Sequence, residues 1–223
     1  MLPGESDGTA FNGTYSYLGK GGQSYVFVSE DGRSVLKLMR SSKLKLKQSK
    51  IEAQEKLLRE TLLSYDIANR YFKEETGIIH THLSPGGSGQ IRIKDKLGIC
   101  HTLDARHYPY IIQEKAMLVK EKIAQSMDEG DVEKARLTIR SLFALLKARS
   151  EKGIEDGDPN LIKNFGFCGD RPIQIDPGRF SSPATSLKKL TDSKQDLQNW
   201  IDQYYPQLSH DLDQAYQEIY EAL

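Results

Sequence analysis

The sequence predicts an α+β protein with a first lobe built on an antiparallel sheet and a reduced second lobe that is mainly helical. Apolar runs separated by glycine-containing turns fill the stretch from Tyr15 to Arg40, which is typical of short strands. A long stretch without glycine or proline follows, from about Lys43 to Glu75, and it is rich in good helix formers. After Met117, apolar residues recur at helical spacing along most of the chain.

Composition and charge restrict the classes of function. The chain has 223 residues, with 31 Lys and Arg against 31 Asp and Glu, and this balance argues against bulk electrostatic binding to nucleic acid or to an anionic membrane. Only Cys100 and Cys168 are present, which is typical of a reducing compartment. Because we find neither a signal pattern nor an apolar run of membrane-span length, we expect a cytoplasmic protein, with signal-independent export to a host cell left open.

Two turns of different kinds join the first strands. Asp31-Gly32 lies between two apolar runs, which is a strong signal for a hairpin. The turn from Gly19 to Ser24 is rich in glycine, so its backbone N–H groups are unobstructed and suited to lie over phosphate oxygens. Lys37 follows in the third strand among apolar neighbours, and its ammonium group suits the α- and β-phosphates of a nucleotide.

A group of carboxylates surrounds a predicted hairpin in the second lobe. The turn residues Gly169 to Pro172 separate two short apolar runs, so we predict that the chain reverses there. The returning strand would bring Asp176 back beside Asn164. An amide oxygen and a carboxylate are hard ligands of the kind that Mg²⁺ prefers, and Asp158 nearby would orient a hydroxyl group.

The order of these motifs resembles that of the protein-kinase-like superfamily. The pattern Gly19-x-Gly21-x-x-Ser24-x-Val26, followed after a hairpin by Lys37, resembles the loop that covers the nucleotide and the lysine that pairs with its phosphates. A core helix then leads into an acidic loop. There, Asp158, Asn164 and Asp176 are similar to the catalytic Asp, the following Asn and the Asp of the Asp-Phe-Gly motif.

Several positions depart from the family pattern. Ser24 stands where the third glycine is usual, and Asp156-Gly157-Asp158 replaces the His-Arg-Asp triplet. One residue more than usual separates Asp158 from Asn164, and Pro177 replaces the phenylalanine of Asp-Phe-Gly. The chain after Phe180 is short and has no Ala-Pro-Glu motif, so the resemblance implies a reduced side for substrate binding.

The resemblance implies a site for ATP and Mg²⁺. The catalytic residues that it implies are Lys37, Asp158 and Asp156, where Asp156 is either an alternative to Asp158 or its partner. The implied metal ligands are Asn164 and Asp176. The implied nucleotide-binding residues are Gly19, Gly21, Gly22, Ser24, Val26, Lys37, Glu60, Glu114 and Ala116. Glu60 would pair with Lys37, although Glu55 flanks the same apolar stripe and spacing does not choose between them.

The resemblance further implies a division into a first lobe of residues 1–113 and a second lobe of residues 114–223. It implies an ATP- and Mg²⁺-dependent phosphotransferase that acts on a hydroxyl group of an unidentified protein or small molecule. One alternative is a nucleotide-binding pseudokinase that works by docking a protein, which the altered triplet and Pro177 favour. Another is a plain interaction module in which the acidic loop is only a solvated turn.

Overall fold

The computed structural model describes residues 13–40, 48–84, 86, 89–181 and 187–220. The predicted start of the long helix at Lys43 lies outside the described residues. Contacts divide the chain into two compact units. Unit 1 is Met1–Leu62 with Ile78–Lys115, and unit 2 is Leu63–Gly77 with Ala116–Leu223.

Unit 1 contains a seven-stranded sheet with the strand order β4-β7-β3-β2-β1-β5-β6. The strands are β1 (Thr14–Lys20), β2 (Ser24–Val28), β3 (Ser34–Met39), β4 (Ile78–His82), β5 (Gln90–Lys94), β6 (Cys100–Asp104) and β7 (Tyr110–Glu114). The described strand pairs are antiparallel, as predicted, apart from β1 with β5.

The core of unit 1 lies on one side of this sheet. Tyr15, Phe27, Leu36 and Ile112 are among its buried side chains, each at most 5% exposed. Burying a large apolar side chain contributes about 1.5–3 kcal/mol relative to exposure, so these positions fix the register of the strands. The central strand β3 is buried from Val35 to Met39, which holds Lys37 on a rigid support.

The helices largely follow the predicted pattern. They are α1 (Gln48–Tyr71), α2 (Lys73–Thr76), α3 (Val119–Asp128), α4 (Val132–Glu151), α5 (Leu187–Tyr204) and α6 (Ser209–Tyr220). Gly77 ends α2 with a left-handed φ of 63°, a backbone conformation in which glycine commonly ends helices. Asp131 is the N-cap of α4, where its side chain accepts a hydrogen bond of 2.9 Å from Lys134 N.

Unit 2 adds two small sheets to its helices. They are formed by β8 (Met117–Leu118), β10 (Phe165–Cys168) and β11 (Arg171–Gln174), and by β9 (Glu155–Asp156) and β12 (Phe180–Ser181). The predicted hairpin is therefore present as β10 and β11. The helical spacing after Met117 corresponds to α3, which begins at Val119, because Met117 and Leu118 pair with β10 as a strand.

Unit 2 also includes residues 63–77, which the sequence assigned to the first lobe. The reason is packing within the unit. The rings of Phe72 and Phe180 lie edge to face with centroids 6.1 Å apart, and the Ser64 hydroxyl hydrogen-bonds to the loop that precedes β12. The sequence-based boundary after residue 113 lies two residues before the boundary at Lys115.

Gly166 in β10 is packed too closely for a larger residue. An added Cβ would lie 2.5 Å from Met117 O and 2.9 Å from Ala116 Cβ. We expect Gly166→Ala to lower the free energy of unfolding by about 1–3 kcal/mol, since backbone atoms must move to relieve the overlap. Urea unfolding measures this, with Gly22→Ala as a control because its added Cβ meets no atom within 4 Å. Equal midpoints for the two variants would contradict the expectation.

Candidate functional site

The glycine-rich turn joins β1 to β2, where the sequence predicts it. The N–H of Gly21 donates to Ser24 O at 2.9 Å and closes the turn. Gly19, Gly21 and Gly22 are not among the glycines with positive φ, and a Cβ on Gly19 or Gly22 would meet no atom within 4 Å. Neither backbone conformation nor packing requires glycine at positions 19 and 22. Close approach of a ligand to the backbone is a further physical reason for glycine in such a turn.

Arg40, which sequence reasoning did not select, holds this turn from the end of β3. Its Nη1 donates to the carbonyl oxygens of Gly21 at 3.3 Å and Gly22 at 3.1 Å. Its backbone N–H donates to Gln23 O at 2.9 Å. The guanidinium lies 5.5 Å from the centre of the Tyr25 ring, a cation–π distance. Because every residue has a backbone carbonyl group, the sequence does not indicate which arginine binds such groups.

Lys37 and Val26, both predicted nucleotide-binding residues, are direct neighbours across β2 and β3. Lys37 is only 8% exposed. The carboxylate of Glu60, by contrast, is exposed and lies 3.8 Å from the amine of Lys56, one helical turn away. The pairing of Glu60 with Lys37 stays a prediction, as does the alternative with Glu55, which is also exposed.

A small cavity of about 140 Å³ lies beside the glycine-rich turn within unit 1. Its lining residues are Gly22, Gln23, Arg40, Gln54, Leu57 and Leu58. Ligand sites that enclose a whole small molecule usually measure roughly 300–1,000 Å³. This cavity therefore has room for a single small group rather than for a nucleotide.

In unit 2, Asn164 brings the predicted acidic residues together. Its side-chain Nδ2 donates to Asp158 O at 2.7 Å. Its own carbonyl oxygen accepts from Ile175 N at 2.8 Å and from Asp176 N at 3.3 Å. The hairpin thus returns Asp176 to Asn164, as the sequence predicts, and Asp158 is tied to the same point. The side chains of Asp158 and Asp176 are exposed.

Asp156 has a different environment, because its side chain is only 1% exposed. Its Oδ1 accepts from Asp158 N at 2.9 Å. Its Oδ2 accepts from Arg149 Nη1 at 3.3 Å and from Gln174 Nε2, and the same Arg149 nitrogen donates to Gln174 Oε1 at 2.7 Å. Burial raises the pKa of Asp156 against the lowering effect of Arg149, and burial lowers the pKa of Arg149. The carboxylate of Asp156 is thus engaged inside unit 2, whereas that of Asp158 faces solvent.

The loop that carries Asp176 is anchored on both sides. The Ser64 hydroxyl donates to Pro177 O and accepts from Phe180 N at 2.5 Å. The strand β12 then pairs with β9, and Gly157 N donates to Arg179 O at 2.9 Å. Gly178 N donates to Asp176 Oδ1 at 3.2 Å and fixes a tight turn. An exposed carboxylate is therefore presented by a loop whose backbone is held in place.

The predicted metal site of this loop has few protein ligands. In the described part of the chain, no group of three or more His, Cys, Asp and Glu side chains is placed to hold a metal ion. The predicted pair of Asn164 and Asp176 offers one amide and one carboxylate. Mg²⁺ is commonly bound by one or two carboxylates together with waters and substrate phosphates.

Glu114 and Ala116, two of the predicted nucleotide-binding residues, lie on either side of the connection from β7 to β8. Glu114 ends β7, opposite Ser34 of β3. Ala116 precedes β8, and its methyl group faces Gly166 of β10. Their contact with a nucleotide stays a prediction.

The described elements follow the order that the kinase resemblance implies: glycine-rich turn, lysine strand, long helix, core helix, acidic loop and hairpin. The prediction of an α+β fold with an antiparallel-dominated sheet is thus confirmed. No protein-family model matches the sequence, and no curated protein matches it.

Among the helices that the structure describes, none combines the length and apolar character needed to cross a membrane.

Solved structures include several that are similar to this chain. One is WbdD, with 14% identity and a TM-score of 0.45 over 79% of this chain and 34% of that one. Another is the ROP18 kinase domain in complex with AMP-PNP and sucrose, with 12% identity and a TM-score of 0.42 over 76% and 52% of the two chains.

A third similar structure is Rv3197 from Mycobacterium tuberculosis in complex with erythromycin. It has 17% identity and a TM-score of 0.38 over 89% of this chain and 53% of that one. This chain therefore spans only 34–53% of the length of these three proteins. At such identities the likeness concerns the fold alone, and no activity is carried over from it.

Proposed function

We propose that this protein is a kinase-like phosphotransferase that uses ATP and Mg²⁺. The backbone N–H groups of the glycine-rich turn and the ammonium of Lys37 would neutralise phosphate charge. Asn164 and Asp176 would be the metal ligands. The carboxylate of Asp158 would orient the accepting hydroxyl group and take its proton. Transfer of a phosphoryl group needs chiefly positioning and charge neutralisation, so this small set of residues suffices.

The position of Asn164 is the observation that carries the proposal. One side of this residue is bonded to the backbone of Asp158 and the other to the backbone of Asp176. Both of these acidic side chains are exposed, while the neighbouring Asp156 is buried and holds the loop. Two exposed carboxylates are thus presented by segments that are tied to one residue, an arrangement suited to a metal ion that also binds water and phosphate oxygens.

The proposal is tested by measuring ADP release and transfer of labelled γ-phosphate with the full chain. We expect both to require Mg²⁺ and to stop when EDTA is added. We expect Lys37→Met to lower the rate at least about ten-fold, since a charge that stabilises the transition state is lost. Lys94→Met is the matched control because Lys94 is exposed on β5 of the same sheet.

Different failures of this experiment select different functions. Binding of ATP without any ADP release would overturn the catalytic proposal in favour of the pseudokinase. The absence of an ATP- or Mg²⁺-dependent shift in thermal unfolding would favour the plain interaction module, because a ligand that binds the folded state must stabilise it.

A further inference from the structure

Arg40 donates hydrogen bonds to three successive carbonyl groups of the glycine-rich turn. Its guanidinium Nη1 binds the carbonyl oxygens of Gly21 and Gly22, and its backbone N–H binds that of Gln23. The ring of Tyr25 lies against the guanidinium at 5.5 Å. Arg40 also follows directly from the buried strand β3, so the position of its backbone is fixed. The turn is therefore held from one side by a single residue.

This contact determines the direction of the N–H groups of the turn. In a trans peptide the C=O and the N–H point in opposite directions. The carbonyl of Gly21 shares its peptide plane with the N–H of Gly22, and the carbonyl of Gly22 shares its plane with the N–H of Gln23. Because both carbonyls point to Arg40, both N–H groups point away from it. Within the described residues, no backbone acceptor is found for either N–H.

Two consecutive N–H groups that point the same way form a binding site for an anion. Glycine also permits the opposite orientation of these peptides at little conformational cost. In that orientation the carbonyl oxygens would face the anion and repel it. A turn built from Gly21 and Gly22 therefore needs an external contact that selects one orientation.

We propose that Arg40 is a positioning residue that holds the glycine-rich turn in the orientation in which the N–H groups of Gly22 and Gln23 receive the phosphates of a nucleotide. This proposal rests on the function proposed above. Arg40 acts through the turn and does not itself contact the phosphates. No position of the kinase-like motif identifies it, because its partners are main-chain oxygens.

The experiment first measures hydrogen exchange in the full chain without any ligand. We expect Arg40→Met, which keeps the aliphatic stem, to raise the exchange of the Gly21 amide, whose N–H donates to Ser24 O and closes the turn, and to leave the amides of α4 unchanged. Arg40→Lys keeps the charge but loses the planar group that lies against the ring of Tyr25, so we expect an intermediate effect. Arg92→Met is the control, since Arg92 is an exposed arginine on β5 of the same sheet.

The second measurement is the affinity for ATP with Mg²⁺. We expect Arg40→Met to weaken binding about ten-fold, which corresponds to about 1.4 kcal/mol, and Arg92→Met to leave it unchanged. Weaker binding with unchanged exchange would mean that Arg40 contacts the phosphates directly, and this would overturn the proposal. Unchanged exchange in Arg40→Met overturns it in every case. If the wild type binds no nucleotide, the proposed function fails, while the exchange data still decide whether Arg40 orients the turn.

Discussion

Replacing Asp176 by asparagine is expected to lower the rate of phosphate transfer about 100- to 1,000-fold, the usual cost of removing one preorganised group that stabilises charge in the transition state. Asp176 is the carboxylate member of the proposed metal pair with Asn164. An asparagine at this position offers an oxygen of similar placement but no negative charge, so the affinity for Mg²⁺ falls. The rate is measured with labelled ATP at saturating nucleotide over a range of Mg²⁺ concentrations.

The asparagine variant should keep its fold. The side chain of Asp176 is exposed, and the bond that its Oδ1 accepts from Gly178 N is available to an amide oxygen as well. We therefore expect the same thermal unfolding midpoint as for the wild type, within the small range typical of surface substitutions. Asp128→Asn, at an exposed position at the end of α3, is the control for the loss of a negative charge in unit 2. A rate within two-fold of the wild type would remove Asp176 from the proposed site.

Local signals in the sequence predicted most of the elements of this fold. The turn at Asp31-Gly32, the stop at Gly77 and the cap at Asp131 each act on the backbone within a few residues, so their effects are readable from the chain itself. The hairpin that returns Asp176 to Asn164 is also local. Its turn residues and alternating apolar positions suffice to predict it.

Features that depend on distant contacts were not predictable in this way. The parallel pairing of β5 with β1 joins segments that are far apart in sequence. The residues of β5 alone do not indicate which strand it pairs with. Ser64 reaches Pro177 and Phe180 across more than 100 residues. Arg40 binds carbonyl groups, which every residue has. A serine or an arginine with such partners looks like any other in the sequence.

The two candidate carboxylates of the acidic loop illustrate the same limit. Asp156 and Asp158 lie two residues apart, and both fit an acidic turn. The structure distinguishes them by burial, because Asp156 contacts Arg149 and Gln174 while Asp158 faces solvent. Gln174 comes from β11 and Arg149 from α4, so the difference arises only when the hairpin packs on the helix.

Asp156→Ala is therefore expected to act on stability, whereas Asp158→Ala acts on activity. Removing Asp156 leaves the guanidinium of Arg149, a residue only 7% exposed, without its carboxylate. Breaking a buried ion pair in this way costs about 3–5 kcal/mol of the free energy of unfolding. Removing the exposed carboxylate of Asp158 should cost less than about 0.5 kcal/mol, because its carbonyl group, which binds Asn164, stays in place.

Chemical denaturation of these variants separates the two roles, and a double variant tests the cause. In Asp156→Ala/Arg149→Met both charges are absent, so the double variant should be more stable than the sum of the single effects predicts. Asp158→Ala should unfold like the wild type and still fail to transfer phosphate. If Asp156→Ala instead kept the wild-type stability and lost activity, Asp156 rather than Asp158 would be the group that orients the acceptor.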